Sequence, residues 1–379
     1  MKMENATWPH LTRNLAFTQQ RAAIFLDDLP AEVIQGAAGR QSWAARWTKI
    51  GDAHYHSAEL KTKNGSFDEA ADNWLCGLTA LEVARRLVDE DDPLGREISA
   101  RVEAGIRRVG LSSRRAIEQV RISCCDAPDL VAYYLAAEAP DTCAPAVICI
   151  SREEETGATL LGRLLPALIG RRMSVLVVSH DDLCNHVCGQ PEMLLSCCWD
   201  YLSLRPDVDS TRIGVYGEGL SAILATDFAL SDSRIAAAVC DGGLWAWMRT
   251  SASVSWMTNA ADLADDHAIS ARRSRLARRL RCPALVVAGG RGIVSISEAI
   301  KLQTDCMASR IDLEVSLPRR IKTPEGEIEN FVTSDDCVLG WLERKLTHDC
   351  NLIAAADQDS REALVETMSG FGLDLDIRY

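Results

Sequence analysis

The 379-residue chain has no apolar run near the roughly 18 residues a membrane-spanning helix needs, so no membrane partner is expected. Its opening, MKMENATWPHLTRN, has no apolar h-region of a secretory signal, so a cytoplasmic location is expected. It contains no G-x-x-x-x-G-K and no G-x-G-x-x-G after its first buried-strand pattern. The sequence thus gives no sign of a phosphate-cradling nucleotide or flavin site or of a haem site, and no cofactor is expected. Excess positive charge is also missing. The formal net charge is -13, which disfavours nucleic acid and anionic surfaces as partners, because both are bound by clustered cations. One basic stretch runs against that balance, with Arg272, Arg273, Arg275, Arg278, Arg279 and Arg281 spaced around a helix. It reads as a solvated face, the other reading being contact with an acidic partner or anionic substrate.

Hydrophobic residues make up 47% and charged residues 25%, so a globular core is expected. There are 14 cysteines but no C-x-x-C. Several sit in apolar runs, such as Cys149 in AVICIS and Cys240 in AAAVCDGG, where cysteine behaves as a small buried hydrophobe. They are read as reduced thiols.

Up to about residue 113 the periodicity is helical. Trp43, Trp47, Ile50 and His54 form one stripe, and Ala70, Trp74, Leu78, Leu81 and Ala84 another, with a break at Asn64-Gly65 between. Ser66 and Glu69 match a capping box for the second helix. Residues 117–124 and 129–137 then read as a hairpin joined by Asp126-Ala127-Pro128. Short apolar runs follow at 146–151, 174–179, 213–217, 236–242 and 284–290, separated by helix-length segments. That alternation predicts parallel strands buried on both faces. A last strand is expected at 311–317, a last helix at 335–346, and a tail helix at Ser360 to Met368. The expected organisation is a helical N-terminal cap domain (1–113), an α/β core with a mostly parallel sheet and helices on both faces (114–346), and a C-terminal tail (347–379).

After the 213–217 strand the chain reads Gly217-Glu218-Gly219-Leu220-Ser221 and enters a helix at once. A sharp strand-to-helix turn of this kind is the setting of a nucleophile elbow, G-x-S-x-G. With the segments RIGVYG, DSRIAAAVCDGG and CPALVVAGG, the chain resembles the FrsA-like branch of the α/β hydrolases, which includes pseudooxynicotine-type hydrolases. The resemblance runs from about Trp43 to Leu346 and implies an α/β-hydrolase fold behind a helical cap, and a homodimer. It also implies a serine at the centre of the elbow, where this chain has Gly219. The acid is expected after the 284–290 strand, where Gly289 to Ser295 holds no carboxylate. The histidine is expected before the last helix, where Pro324 to Asn330 holds none, while His348 lies beyond that helix. Attack, proton transfer and orientation of the base are separate jobs, and none has its usual residue, so an acyl-serine mechanism is not expected.

Ligands of such sheets bind beyond the carboxyl ends of the strands. There the sequence offers Arg152 and Glu153, His180 and Asp181, Glu218, and Asp241 with Trp245 and Trp247. Glu218, His180 and Asp181 are the candidate catalytic residues. Glu218 is read as a general acid or base with its pKa raised by desolvation, the alternative being a carboxylate bonded to loop backbone. His180 titrates near neutrality, or serves as a structural histidine. Gly219, Arg152, Glu153, Asp241, Trp245 and Trp247 are the candidate substrate contacts, the tryptophans otherwise packing residues. Cys184, His186 and Cys188 match no zinc spacing, so no metal is expected. Three functions remain open. One is a small-molecule enzyme using acid–base chemistry (lyase, cyclase, dehydratase or isomerase), its substrate aromatic or polyketide-like. Another is a non-catalytic binder of a ligand or protein. The third is a hydrolase with a displaced nucleophile, Ser221 or Cys184.

Overall fold

The computed structural model describes residues 15–88, 92–112, 117–124, 129–138, 143–153, 155–185, 190–243, 275–288, 296–323 and 326–347. Five helices come first: α1 (Leu15–Asp27), α2 (Ala31–Gln35), α3 (Ala37–Lys63), α4 (Phe67–Arg86) and α5 (Pro93–Ser112). The two predicted stripes fall on α3 and α4, which pack on each other. Trp47 and His54 are buried, with Trp43 and Ile50 half-buried. In α4 all five stripe residues are buried, and burial is continuous from Asn73 to Arg85. The expected capping box does not form: Ser66 makes no side-chain cap bond, and Glu69 is instead taken by Lys61 on the preceding helix.

The strands are β1 (Ile117–Ile122), β2 (Leu130–Leu135), β3 (Ala144–Ile150), β4 (Ser174–Val178), β5 (Val208–Glu218), β6 (Ala237–Asp241), β7 (Ala284–Val287) and β8 (Leu313–Ser316). They form one eight-stranded sheet in the order β1-β2-β4-β3-β5-β6-β7-β8. β1 and β2 are antiparallel, as is the β2–β4 pair. From β4 across β3, β5, β6 and β7 to β8 every pairing is parallel. Each predicted apolar run is a strand, and β3, β4, β6 and β7 are buried at every residue.

Side chains alternate across a strand, and the core divides accordingly. Val147 and Cys149 of β3 face one apolar cluster shared with α4, α5 and α6 (Gly157–Leu168). Ala146, Ile148 and Ile150 face the other, shared with α8 (Pro191–Ser203) and α9 (Ser221–Ser231). α7 (His180–Cys184) follows β4 directly. The first cluster is continuous from Ala22 and Leu26 of α1 through Trp74 of α4 to Tyr216 and Val239 of the sheet. After α10 (Ile296–Ala308) and β8 comes an element the sequence reading missed, the two-stranded hairpin β9 (Arg320–Thr323) and β10 (Gly326–Glu329). The last helix, α11, spans 331–347 and starts four residues before its expected position. Among the described residues no helix is long and apolar enough to cross a membrane. The Asp126-Ala127-Pro128 turn, the 289–295 loop, His348 and the predicted tail helix lie outside the described residues.

Candidate functional site

At the carboxyl end of β5 the backbone reverses through Gly219, whose φ is +66°. A side chain there is strained by contact with its own backbone, which glycine avoids. Gly217 answers a second demand: a Cβ on it would lie 2.1 Å from the Ser221 carbonyl oxygen, so the incoming strand and outgoing helix meet only without one. Gly219 N–H donates to the Asp241 carbonyl oxygen at 2.7 Å and ties the turn to β6. The turn therefore has the strand-to-helix shape of an elbow, with no side chain at its apex.

Ser221 and His180 lie behind this turn. Ser221 is fully buried. Its hydroxyl donates to the Ser151 carbonyl oxygen at 2.6 Å and is 2.7 Å from His180 Nδ1. The His180 backbone N–H in turn bonds Ser151 Oγ. Burial lowers the His180 pKa, partly offset by Glu153 and Asp181. This ring was read either as a proton carrier or as a structural histidine. Its Nδ1 is spent on joining the ends of β3 and β4 to α9. Asp181 is exposed and does not line the cavity.

Charged side chains converge above the elbow from four directions. Glu82, Arg85 and Arg86 share one face of α4, since residues three and four apart are neighbours on a helix. Arg85 grips Glu82 through two nitrogens, at 2.8 and 2.9 Å. It also reaches Glu155 at 2.6 Å, tying α4 to the loop after β3. Arg86 Nε donates to Glu82 at 2.8 Å, and its Nη2 is buried with no acceptor among the described residues. From α6, Arg163 Nη2 donates to Glu218 at 2.6 Å, and its Nε lies 3.6 Å from Asp335 of α11. Tyr216, two residues before Glu218 on the same strand face, donates to the same carboxylate oxygen at 3.1 Å. Arg152 Nε approaches the other Glu218 oxygen at 3.4 Å.

These contacts overturn the expected pKa of Glu218. Burial does push it up, but Arg163, Arg152 and Arg86 outweigh burial and hold it well below the usual carboxylate range. Glu218 is thus a structural counter-ion with little basicity. The perturbation goes the other way at Asp241, its Cα partner on β6. Burial, then Glu218 and Glu329, raise the Asp241 pKa well above the ordinary value, against Arg320 and Arg163. Asp335 is raised to about 7 by burial, with Arg163 opposing and Glu218 assisting.

Arg86, Arg152, Glu218, Gly219, Asp241, Gly242, Arg320, Glu327 and Glu329 line a small cavity, with room of about 30 Å³, that is partly open to solvent. That is about the volume of one water molecule, well below the several hundred Å³ of a formed small-molecule pocket. Of the sequence-predicted residues, Arg152, Glu218, Gly219 and Asp241 line it, and Glu153 stands beside it against Gly219. Trp245, Trp247, His186 and Cys188 lie outside the described residues, and Cys184 is exposed. The sequence reading missed Arg86, Arg163, Arg320, Tyr216, Glu329 and Asp335. One signal was available: Arg163 is the lone charge in the apolar helix GATLLGRLLPAL, and such a charge on a buried helix needs a partner. Among the described residues no group of three or more His, Cys, Asp or Glu side chains could hold a metal ion.

No family model and no curated protein matches the sequence. Solved structures do match. The 2,6-dihydroxy-pseudo-oxynicotine hydrolase superposes with a TM-score of 0.55 at 16% identity, over 88% of this chain and 95% of that one. AbyA5 gives 0.45 at 15% identity, over 81% and 87%. An esterase of Pyrococcus furiosus gives 0.40 at 13% identity, over 54% and 81%. The strand order, the glycine-turned elbow after β5 and the superposition on the first of these show that the chain has the α/β-hydrolase fold.

Proposed function

We propose that this protein is a small-molecule enzyme that works by proton transfer and does not form an acyl-serine. The observation that carries this is the Asp241 carboxyl. It is 6% exposed, lines the cavity and makes no side-chain hydrogen bond among the described residues. A buried acid without a partner is costly to keep. A raised pKa favours its protonated form, which suits a proton donor. Arg86, Arg152 and Arg320 supply positive charge to the same space and would stabilise an oxyanion as it develops. Asp241 replaces Glu218 as the proton-carrying group in this reading, and the chemistry is of the lyase, cyclase, dehydratase or isomerase kind. What supports the absence of an acyl-serine is Gly219 at the apex and the buried Ser221 behind it.

The test uses a fluorophosphonate probe read by intact mass, followed by a panel of aromatic lactones and β-keto acids read by mass spectrometry. No adduct should form, and turnover of a panel member should fall by at least about a hundredfold in Asp241→Asn, a typical general-acid contribution. A stoichiometric adduct would restore a nucleophilic serine. Full activity in Asp241→Asn would remove that residue from the chemistry.

A second reading is a non-catalytic binder. It is favoured by Leu220 N–H, the backbone donor that follows the apex. That donor is already occupied by Glu153 Oε2 at 3.2 Å. Ligand-induced stabilisation without any product would select it.

A further inference from the structure

The sheet ends at β8, far along the strand order from the elbow. Among the described residues β8 pairs with β7 alone. The Asp312 and Ser316 carbonyls accept from the Ala284 and Ala288 N–H groups. Even-numbered residues of β8 therefore serve β7, and Val315 turns its N–H and C=O outward. Such an edge is a template for another strand. Its two faces differ. On one, Val315 packs against the clusters that hold α10, and Leu317, next on that face, is 47% exposed. α10 buries Ala299, Leu302 and Cys306, and Leu276 and Ala277 cover its inner flank. A second stripe of α10 is uncovered: Ile296 and Ile300 are 49% exposed and Met307 71%. It stands about 100° round the helix from the buried stripe, on the flank toward the sheet edge. The opposite face of β8 carries Glu314, with Lys345 at 3.1 Å and Arg344 at 3.4 Å.

One segment outside the described residues fits this edge. Residues 373–379 read LDLDIRY, apolar and charged in strict alternation, the period of a strand with one buried face. The preceding Ser369-Gly370-Phe371-Gly372 has the composition of a turn. Lys345, in the last turn of α11, bonds Asp312 at 2.8 Å, so the chain leaves α11 beside the start of β8. A tether of this kind holds its segment at roughly millimolar effective concentration, which favours it over the same segment of a second copy. We propose that residues 373–379 add to the outer edge of β8 as a ninth strand of the sheet. Leu373, Leu375 and Ile377 then cover Ile296, Ile300 and Met307, while Asp374 and Asp376 turn to the face of Lys345 and Arg344. The alternation fixes the register, because a slip of one residue would press both aspartates onto the α10 stripe.

The experiment is hydrogen–deuterium exchange on the full chain, on Leu375→Asp and on a variant stopped after Ser369. In the full chain the amides of residues 373–379 and of Val315 should exchange at least about tenfold more slowly than in Leu375→Asp, the worth of one strand hydrogen bond. The truncation should speed Val315 to the same extent. Leu375→Ile, which keeps the apolar face, should keep the protection. Amides of β3 and β5 should be alike in every variant, which shows that the core stays folded. Protection should also survive dilution by about a hundredfold, as a tethered contact does. Rapid exchange of residues 373–379 in the full chain overturns the proposal. So does a Val315 amide indifferent to both Leu375→Asp and the truncation, which would mean that another element covers the edge. Protection that fades on dilution overturns it as well, since the strand would then come from a second copy.

Discussion

Glu218→Gln keeps the shape of the side chain and removes its charge, so it isolates what that charge does. In the folded protein the carboxylate faces Arg163 at 2.6 Å, Arg152 at 3.4 Å and the Tyr216 hydroxyl at 3.1 Å. Arg163 and Arg152 are 3% and 7% exposed, so water cannot take over for the lost anion. Removing one partner of a buried pair costs about 3–5 kcal/mol, because the other charge stays buried and uncompensated. A large domain shifts its Tm by about 2 °C per kcal/mol, so the melt should fall by on the order of 6–10 °C at pH 7. The pH profile is a second readout. A carboxylate whose folded pKa is depressed contributes stability above its unfolded pKa and loses it as pH falls through the folded value. The gap between wild type and variant should therefore stay constant from pH 8 down to about 5 and narrow only in stronger acid. Glu218→Gln/Arg163→Met should be less destabilised than the sum of its single variants by more than about 1 kcal/mol, since the two sites are in contact. A variant that melts within about 2 °C of wild type, or a gap that closes above pH 5, would refute the clamp and return Glu218 to the list of possible bases.

Further outcomes follow from neighbouring groups. Asp335 is raised to about 7, so the folded state holds a proton that the unfolded state has lost, and stability should fall as pH rises from about 4 to 7. Asp335→Asn should flatten that slope in melts taken at one-unit intervals; an unchanged slope would place the titration elsewhere. His180→Ala should lower stability by about 1–3 kcal/mol through the lost bond to Ser221. Because the ring stands behind the elbow, turnover on any substrate found should persist, and its abolition would restore His180 as a proton carrier. Gly219→Ser forces a side chain into positive φ at a cost of about 1–3 kcal/mol and presses on Glu153. It should remain unlabelled by fluorophosphonate, and labelling would show that a base reaches the apex.

The sheet was legible because its strands are short apolar runs between helices, a pattern that burial on both faces imposes. The elbow was legible because Gly217 and Gly219 are required by the backbone itself. The hairpin β9–β10 was not, since RIKT and GEIE carry little apolar signal and are held by pairing and by the Arg320–Glu329 ion pair at 3.1 Å. The site was half legible. Arg152, Glu153, Glu218 and Asp241 lie at strand ends, where position alone nominates them. Arg163 lies within α6 and Arg86 ends α4, and only tertiary packing reveals that Arg163 bonds Glu218 and that Arg86 carries its charge nearby. That packing also explains the wrong sign for the Glu218 pKa: desolvation can be guessed from a sequence, but the arginines that overcome it cannot.

The ion pair between Arg85 of α4 and Glu155 of the loop after β3, at 2.6 Å, bears on how this molecule can be divided. Arg85 and Arg86 come from the helical segment, while Glu155 and Glu218 come from the segment that carries the sheet. Cutting the chain after α5 would break the Arg85–Glu155 pair and leave each piece with a bare apolar face, since the core cluster crosses the same boundary. The two pieces should each be insoluble alone and recover solubility when co-expressed. For anyone grafting this cavity onto another scaffold, the smallest transferable unit includes the helices through α5, because the floor of the cavity begins at Arg86.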